Sequence, residues 1–569
     1  MTAFSMLALG AISARAVWIG GAEHDTLSRR ALNENTKPIP LLAARGTILS
    51  SNGQALAQDR PATQIAVDPK VVKNAARVAA LIAPPLRQSV GQVQAALAKT
   101  SRNEILEPFA TPSVATQLRD IKRNQLVDGA VIDGVDLTDV LQRVDPHGRV
   151  GSQVVGLARP TQKEDKTTAD KVGISGLEAR YNRELTGTSG LQLEARDPAG
   201  RTIRTISTKP AVPGKTLRTS IDPGIQLTVQ DVLDRTVAAN GAKSASAIVM
   251  RPSDGAILAI ASNPGFDPNN RAGMTNEATN VGPVTEVFEP GSVFKLVAVA
   301  GAIQDGVVTP STVYKGLHAS ETLYDYTVGE SHRTETRDMS VAEIIRTSSN
   351  IGTGHIAKDL GRDRFLAWTH RFGFGAQTGV DLPGEAAGHI RPAQEWSGVD
   401  ISQLPIGQGL TTTVVQIARA YAVVANGGLL VTPHVVTRIG GQPVSVPKPE
   451  RVLRPDVAAQ MNTILEAVVD KGGTGGRAHI DGFRVAGKTG TGSVFDPELF
   501  NSVTGKNGAY SKSRFVASFV GYVPANKPQL LIVVSVNEPS RGQYYGGEVA
   551  APAFKEIAEY SLQHLAIAP

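Results

Sequence analysis

A serine and a lysine three residues apart, Ser292 and Lys295, open a predicted helix that runs from Ser292 to Asp305. Pro290-Gly291 before it and Gly306 after it are typical start and stop signals. The helix has almost no polar face, so it should be buried, and burial lowers the pKa of a lysine amine. We expect the amine to lie within hydrogen-bond reach of the Ser292 hydroxyl and to activate it as a nucleophile. The alternative is an N-cap serine with a lysine that extends to solvent.

A second group with catalytic potential is the tripeptide Ser348-Ser349-Asn350. A capping box from Ser340 to Glu343 begins a short helix before it, and Ile351 to Leu360 forms another helix after it. The tripeptide is therefore predicted at the turn between two helices. There its first serine is suited to relay a proton and its asparagine to hold a substrate amide. An ordinary polar turn remains the alternative, because Ser50-Ser51-Asn52 repeats the tripeptide where no chemistry is expected.

The third group is Lys488-Thr489-Gly490-Thr491, at the end of a predicted strand. The charge of Lys488, the hydroxyls of Thr489 and Thr491 and the absent side chain of Gly490 suit the binding of an anionic peptide end. The backbone N–H of Thr491 is also placed to form an oxyanion hole with that of Ser292. Taken alone, this segment is a polar strand end. The three groups together predict a serine acyl-transfer site.

The elements that must position these groups indicate an α+β domain, in which helices cover one antiparallel sheet. Strands are predicted at both ends of the C-terminal part and helices between them. The predicted strands are Ala247–Met250, Ala256–Ser262, Phe483–Thr491, Phe515–Tyr522 and Leu530–Val536, and further helices are predicted at Gln226–Asn240 and from Ala553 onward.

The N-terminal part has a different pattern, with Ala/Val/Leu spacing typical of helix from Val71 to Leu97, interrupted at Pro84-Pro85, and onward to about Gln125. Strands are expected near residues 41–49, 131–135 and 151–157. The segment from Lys209 to Lys215 contains two prolines and a glycine and is predicted to be the main boundary. We therefore expect an N-terminal domain at residues 24–215 and a catalytic domain at residues 216–569.

Composition narrows the classes of function. A chain of 569 residues with 41% hydrophobic residues has enough apolar sequence for more than one domain. The net charge of +6 is small for this length and no basic block occurs, so nucleic acid is not an expected partner. The absence of cysteine excludes disulfides and a cysteine nucleophile. No phosphate-binding loop or metal-protease spacing occurs, and neither a cofactor nor a metal is expected.

The N-terminal segment from Phe4 to Ala22 is mostly apolar and is long enough to span a bilayer, which suggests a membrane anchor. Arg15 weakens this prediction, since a central arginine costs about 3 kcal/mol on insertion scales. Residues 1–23 are nevertheless predicted to be an anchor helix. A cleaved signal peptide and a short apolar helix outside the membrane remain alternatives.

The three motifs, in this order, resemble those of the penicillin-binding protein and serine β-lactamase superfamily. Nearly the whole chain resembles the class B, monofunctional penicillin-binding proteins, with a transpeptidase domain and an elongated N-terminal pedestal. The segments that extend the resemblance are Arg45-Gly46-Thr47-Ile48, Gly173 to Glu178 with Tyr181, Gly407-Gln408-Gly409 and Gly473-Thr474-Gly475. We expect structural roles for their glycines.

The resemblance implies a D,D-transpeptidase that is anchored in the cell membrane by one helix, with its catalytic domain outside the cytoplasm. Ser292 would attack the D-Ala-D-Ala end of a peptidoglycan stem peptide, and β-lactams would acylate the same serine. A separate multi-pass membrane glycosyltransferase and division proteins are the implied partners. The compact interval between the second and third motifs favours the division type over the elongation type. A D,D-carboxypeptidase and a penicillin-binding sensor or division scaffold remain alternatives.

Overall fold

The structure of the protein is a computed structural model. It describes residues 2–21, 23, 26, 36–125, 134–160, 171–196, 202–270, 272, 274–323, 326–331 and 334–501, and then 506–569.

A five-stranded antiparallel sheet forms the centre of the C-terminal part. Its strand order is β12-β11-β23-β22-β21, so the first hairpin of the domain pairs with the last strands of the chain. Each of the five strands predicted for this part corresponds to one strand of the sheet, although β12 begins one residue later and β21 three residues later than predicted. Their observed bounds are Ser244–Met250 (β11), Ile257–Asn263 (β12), Ala486–Asn501 (β21), Lys506–Val523 (β22) and Leu530–Asn537 (β23).

Both faces of this sheet are buried because alternate residues enter different cores. Ala247 and Val249 pack with the helices Pro223–Asn240 (α8) and Gly546–His564 (α17). Ile248 and Met250 face the opposite core, which includes the helices Lys295–Gln304 (α10) and Val414–Ala425 (α15). The expectation of an α+β fold with an antiparallel sheet covered by helices is confirmed, and the helices cover both faces.

Shorter elements complete the C-terminal part. Its other helices are Gly282–Thr285 (α9), Val341–Arg346 (α11), Asn350–Leu360 (α12), Arg362–Arg371 (α13), Gly398–Gln403 (α14) and Pro455–Val469 (α16). Its other strands are Val313–Leu317 (β13), Ser320–Leu323 (β14), Tyr326–Gly329 (β15), Arg337–Ser340 (β16), Leu429–Leu430 (β17), Val436–Ile439 (β18), Gln442–Pro443 (β19) and Glu450–Arg451 (β20). Strands β14 and β15 form an antiparallel ribbon.

The N-terminal part is built around one long strand, Ala55–Val67 (β3), which pairs with three others. The strands are Thr36–Leu41 (β1), Ile48–Leu49 (β2), β3, Glu104–Ala110 (β4), Val135–Val144 (β5), Ala158–Pro160 (β6), Lys171–Gly173 (β7), Gly190–Arg196 (β8), Thr202–Lys209 (β9) and Leu217–Thr219 (β10). The helices are Thr2–Gly20 (α1), Ala75–Leu86 (α2), Val90–Leu97 (α3), Pro112–Gln125 (α4), Ser152–Val155 (α5), Gly176–Arg180 (α6) and Asn182–Leu185 (α7). Strand β10 pairs with both β2 and β18, so one sheet crosses from the N-terminal part into the C-terminal part.

Three predictions for the N-terminal part need correction. A strand is predicted at Gly151–Leu157, but Ser152–Val155 form the helix α5. All four residues of this helix are buried, so the segment lacks the alternation of buried and exposed residues that a half-buried strand shows. Residues 104–110, predicted to lean toward helix, form the strand β4 because they pair with β3. Pro84 and Pro85 lie inside the last turns of α2. Of the strand predicted at 131–135, residues 131–133 lie outside the described residues, and β5 begins at Val135.

The first helix, α1, covers most of the segment predicted to be an anchor. Among the described residues, no helix reaches the combination of length and hydropathy that a bilayer crossing requires. Arg15 forms an ion pair with Glu23 at 3.2 Å, and the Trp18 indole N–H donates to the same carboxylate.

A buried ionic cluster joins two of the N-terminal segments that carry the family resemblance. Glu178 accepts from Arg45 at 2.5 Å and from Arg143 at 2.7 Å, and these three side chains are at most 7% exposed. Asp59 lies between Arg143 at 3.5 Å and Lys171 at 2.9 Å. Since a buried charge without a partner is strongly destabilising, these contacts fix β3, β5, β7 and α6 relative to one another.

We predict that Glu178→Gln destabilises the N-terminal part by about 3 to 5 kcal/mol, because it leaves two buried guanidinium groups without their shared carboxylate. Urea unfolding followed by circular dichroism measures this change. Arg119→Ala is the control, since Arg119 pairs with Asp139 at the surface and its loss should cost less than about 1 kcal/mol. Equal unfolding midpoints for the two variants would contradict the prediction.

Candidate active site

The turn that carries Ser292 is a 3₁₀ helix, Gly291–Phe294, which leads into α10 at Lys295. The α-helix predicted from Ser292 therefore begins three residues later, and it ends at Gln304. Gly291 N–H donates to the Gly407 carbonyl at 3.0 Å, and the Tyr421 hydroxyl donates to the Val293 carbonyl at 2.8 Å. These bonds hold the turn against the loop at Gly407 and against α15.

Lys295 is fully buried, as the apolar character of its helix predicts. Its Nζ donates to the Ser348 carbonyl at 2.5 Å, to Asn350 Oδ1 at 2.7 Å and to Ser348 Oγ at 3.3 Å. Burial lowers the pKa of Lys295 to about 7, while the charge of Glu330 acts in the opposite direction. A substantial neutral fraction of the amine is therefore present near neutral pH.

The expected hydrogen bond between Ser292 and Lys295 is not observed. Among the described residues, none joins Ser292 Oγ to Lys295 Nζ, although the two residues are three positions apart. An ammonium has three donor hydrogens, and the three contacts with the second motif account for all of them.

The second motif connects α11 to α12, as the capping box at Ser340 and Glu343 predicts. Ser348 has φ of +60°, in the left-handed region that a serine rarely adopts. Asn350 is engaged at both ends of its amide: Oδ1 accepts from Lys295, and Nδ2 donates to the Gly329 carbonyl at 2.8 Å. Its observed contacts hold the lysine, whereas the sequence suggested that it holds a substrate amide.

The third motif lies on β21, opposite the second. Lys488 is 1% exposed, and its Nζ donates to Ser348 Oγ at 2.9 Å and to the Thr489 carbonyl at 2.9 Å. Burial, together with the charge of Lys295, holds the pKa of Lys488 well below its usual value. The two lysines of the first and third motifs thus converge on one hydroxyl, that of Ser348.

The threonines of the third motif are also fixed by neighbours. Thr489 Oγ1 lies 2.8 Å from Thr474 Oγ1, and Thr491 Oγ1 accepts from the backbone N–H of Gly546 at 3.2 Å. The segment Gly473-Thr474-Gly475, named from the sequence for its glycines, therefore contributes a hydroxyl contact to the strand.

Glycines bring the nucleophile turn against β21. A Cβ on Gly490 would approach the Pro290 carbonyl to 2.8 Å, and one on Gly291 would approach the Thr491 carbonyl to 2.6 Å. A Cβ on Gly407 would overlap the Gly291 carbonyl oxygen. Side chains at these positions would separate the turn that carries Ser292 from the strand that carries Lys488.

A cleft of about 570 Å³ opens beside the two converging lysines. Ser348, Thr489 and Thr491 line it, whereas Ser292 is not among the described residues of its wall. Its lining also includes charged residues that the sequence analysis did not find, because they lie outside the motifs and no spacing relates them to the site: Glu330, Arg337, Arg477 and Glu548.

Comparison with known protein families accounts for most of the chain. Residues 245–559 match the family described as the penicillin binding protein transpeptidase domain. Residues 40–219 match the penicillin-binding protein dimerisation domain.

Individual relatives match over most of their length. The peptidoglycan D,D-transpeptidase FtsI of Escherichia coli strain K12 is 29% identical over 572 residues, which cover 99% of this chain and 91% of that protein. The penicillin-binding protein PbpB of Mycolicibacterium smegmatis is 30% identical, and the match covers 92% of this chain and 83% of that protein. The crystal structure of penicillin binding protein 3 from Mycobacterium tuberculosis in complex with aztreonam is 26% identical, with 93% of this chain and 98% of that chain covered and a TM-score of 0.68.

The chain therefore belongs to the penicillin-binding protein transpeptidases. The dimerisation domain that precedes its transpeptidase domain identifies it as a class B member of that family.

We predict that Gly407→Ala slows covalent labelling by a fluorescent penicillin about 10- to 100-fold, because the added methyl displaces the Gly291 carbonyl and the turn that carries Ser292. Gly427→Ala is the matched control: Gly427 has a similar φ of +78° but no atom within 4 Å of an added Cβ. Equal labelling rates for the two variants would show that the contact between Gly407 and Gly291 is unimportant.

Proposed function

We propose that Ser292 is the nucleophile with which this peptidoglycan D,D-transpeptidase cross-links stem peptides. The observation that carries the proposal is the meeting of two fully buried lysine amines at the Ser348 hydroxyl, beside the turn of Ser292. Burial lowers the pKa of Lys295 to about 7, so its amine accepts a proton near neutral pH, and the hydroxyl between the two lysines provides a path for that proton. A serine acyl-transfer site requires a proton acceptor and a path for the proton, and these residues provide both.

In the first half of the reaction, Ser292 Oγ attacks the carbonyl carbon of the penultimate D-alanine. The hydroxyl proton passes to the neutral amine of Lys295, and the Ser348 hydroxyl relays a proton to the nitrogen of the terminal D-alanine as its bond to the carbonyl breaks. The backbone N–H groups of Ser292 and Thr491 stabilise the oxyanion. The proposed product of this step is an ester between Ser292 and the shortened stem peptide.

In the second half, the amine of a neighbouring stem peptide attacks the ester carbonyl. It gives up a proton through Ser348 and Lys295 as Ser292 regains its hydroxyl proton, so the groups return to their starting states. When the substrate is a β-lactam, the same attack opens the ring and the acyl group remains on Ser292.

The third motif supplies the proposed binding site for the substrate's terminal carboxylate. Lys488 contributes its charge to the site, while Thr489 and Thr491 line the cleft and present hydroxyls. Gly490 leaves the strand close to the Pro290 carbonyl, which supports a short distance between the bound carboxylate and the nucleophile turn.

We propose an anchor at residues 1–23, an elongated pedestal at 24–215 and the catalytic domain at 216–569. The anchor proposal rests on the mostly apolar sequence of α1, and the pairing of Arg15 with Glu23 reduces the cost of an arginine near the membrane. The pedestal would contact a multi-pass membrane glycosyltransferase and other division proteins, outside the cytoplasm. The similarity to FtsI and the compact interval between the second and third motifs support a role at the division septum.

We predict that benzylpenicillin adds its mass to the protein and that Ser292→Ala abolishes the adduct, because only an activated hydroxyl opens the lactam ring. Intact-mass spectrometry measures this. Ser50→Ala is the control, since Ser50 belongs to a turn of the N-terminal part with hydrogen bonds to Asn52 and Gln54. An adduct that survives Ser292→Ala would overturn the assignment.

An assay that supplies an acceptor amine together with a D-Ala-D-Ala peptide distinguishes transfer of the acyl group to the amine from its hydrolysis by water. Cross-linked product supports the proposal, and release of the shortened peptide with no cross-linked product would indicate a carboxypeptidase. Adduct formation without turnover of either kind would indicate a sensor or scaffold.

We predict that a fluorescent fusion of the whole chain lies in the cell membrane and concentrates at the septum, and that removal of residues 1–23 eliminates the membrane signal. Microscopy and membrane fractionation measure both. Ser292→Ala in the whole chain should leave the distribution unchanged. Continued membrane binding without residues 1–23 would contradict the anchor, and labelling confined to the lateral wall would contradict the division role.

A further inference from the structure

A carboxylate outside the three motifs contacts the second motif directly. Glu330, which follows the ribbon strand β15, accepts from Ser349 Oγ at 2.5 Å, from Asn350 N–H at 2.9 Å and from Ile351 N–H at 3.3 Å. These donors lie at the N-terminus of α12, where the free N–H groups and the helix dipole favour a negative charge.

The preceding residue of the ribbon contacts the same asparagine. The Gly329 carbonyl accepts from Asn350 Nδ2 at 2.8 Å, so residues 329 and 330 hold both the backbone and the side chain of Asn350. Asn350 Oδ1 in turn accepts from Lys295 Nζ at 2.7 Å. A continuous chain of hydrogen bonds thus leads from the end of the ribbon to the buried amine.

Glu330 has a different role from an ordinary helix cap. Ser349 already caps α12, because its Oγ accepts from the Gly352 N–H at 3.0 Å. Glu330 accepts hydrogen bonds from the Ser349 hydroxyl and from the backbone N–H groups of Asn350 and Ile351. These donors lie next to Ser348, whose backbone has a strained left-handed conformation. Such a conformation persists only when the surrounding contacts hold it.

From these contacts we infer that Glu330 is a positioning residue of the active site. Its hydrogen bonds hold the second motif, and with it Ser348 and Asn350, against Lys295, and its negative charge acts on that lysine. This inference rests on the proposed function, since it assigns Glu330 a part in the activation of Ser292.

The charges around this position define the expected pH dependence. Lys295 on α10 and Lys488 on β21 are the buried lysines, and the other charged residues of the cleft wall are Glu335, Arg337, Arg477 and Glu548. The negative charge of Glu330 raises the pKa of Lys295, against the larger effect of burial. Loss of that charge therefore lowers the pKa of Lys295, and the neutral amine persists to lower pH.

The test is the rate of acylation of Ser292 by a fluorescent penicillin, measured as a function of pH. In the wild type the rate should rise with pH around neutrality as Lys295 loses its proton. Glu330→Gln should lower the limiting rate about 10- to 100-fold, because an amide nitrogen cannot accept from the N–H donors of α12. It should also move the midpoint of the rise to lower pH. Loss of rate from misfolding alone would not move that midpoint.

Glu330→Asp and Glu321→Gln complete the test. Glu330→Asp retains the charge on a shorter side chain, so it should keep the wild-type midpoint and recover part of the rate. Glu321 lies on the same ribbon and bonds His355 of α12 at 2.9 Å, more than a turn beyond the motif. Glu321→Gln should therefore keep both the wild-type rate and the midpoint, and thermal unfolding should show that all the variants are folded.

Two outcomes would overturn the inference: a folded Glu330→Gln variant with the wild-type rate and midpoint, or the same losses in Glu321→Gln, which would assign the effect to the ribbon as a whole. A wild-type protein that forms no adduct on Ser292 would instead refute the proposed function.

Discussion

Two buried lysine amines share the hydroxyl of Ser348 in this fold, and the rest of the catalytic domain is arranged around that contact. Moving an ammonium out of water is costly unless hydrogen bonds and opposite charge compensate, and two such groups also repel each other. Ser348, Asn350 and the Thr489 carbonyl supply the hydrogen bonds, and Glu330 supplies a negative charge that acts on Lys295. The same burial that makes the site costly holds the pKa of both amines low, which is what a serine acyl-transfer reaction uses.

Close backbone approach is the second requirement, because the three motifs come from distant parts of the chain. The turn at Gly291 touches β21 at Thr491 and also the loop at Gly407. Neither contact tolerates a Cβ. On the opposite face of the sheet, α8 and α17 fill the core with apolar side chains, so the strand that carries Lys488 is held from both sides.

The N-terminal part uses buried charge in a different way. Around Glu178, guanidinium groups and carboxylates satisfy one another. The pairing of β10 with β2 and β18 extends that rigid region into the catalytic part through a shared sheet.

The sequence by itself determined the class of fold, the three motifs and the strands that frame them, because hydrophobic periodicity, capping boxes and proline-glycine signals are local. It predicted the burial of Lys295 from the apolar residues of its own helix. Only the tertiary structure decided that the Lys295 amine bonds Ser348 and Asn350 instead of Ser292, that residues 152–155 form a helix, and that Glu330 lies at the site. Those outcomes depend on which distant segments meet, and no local pattern in the chain encodes such a meeting.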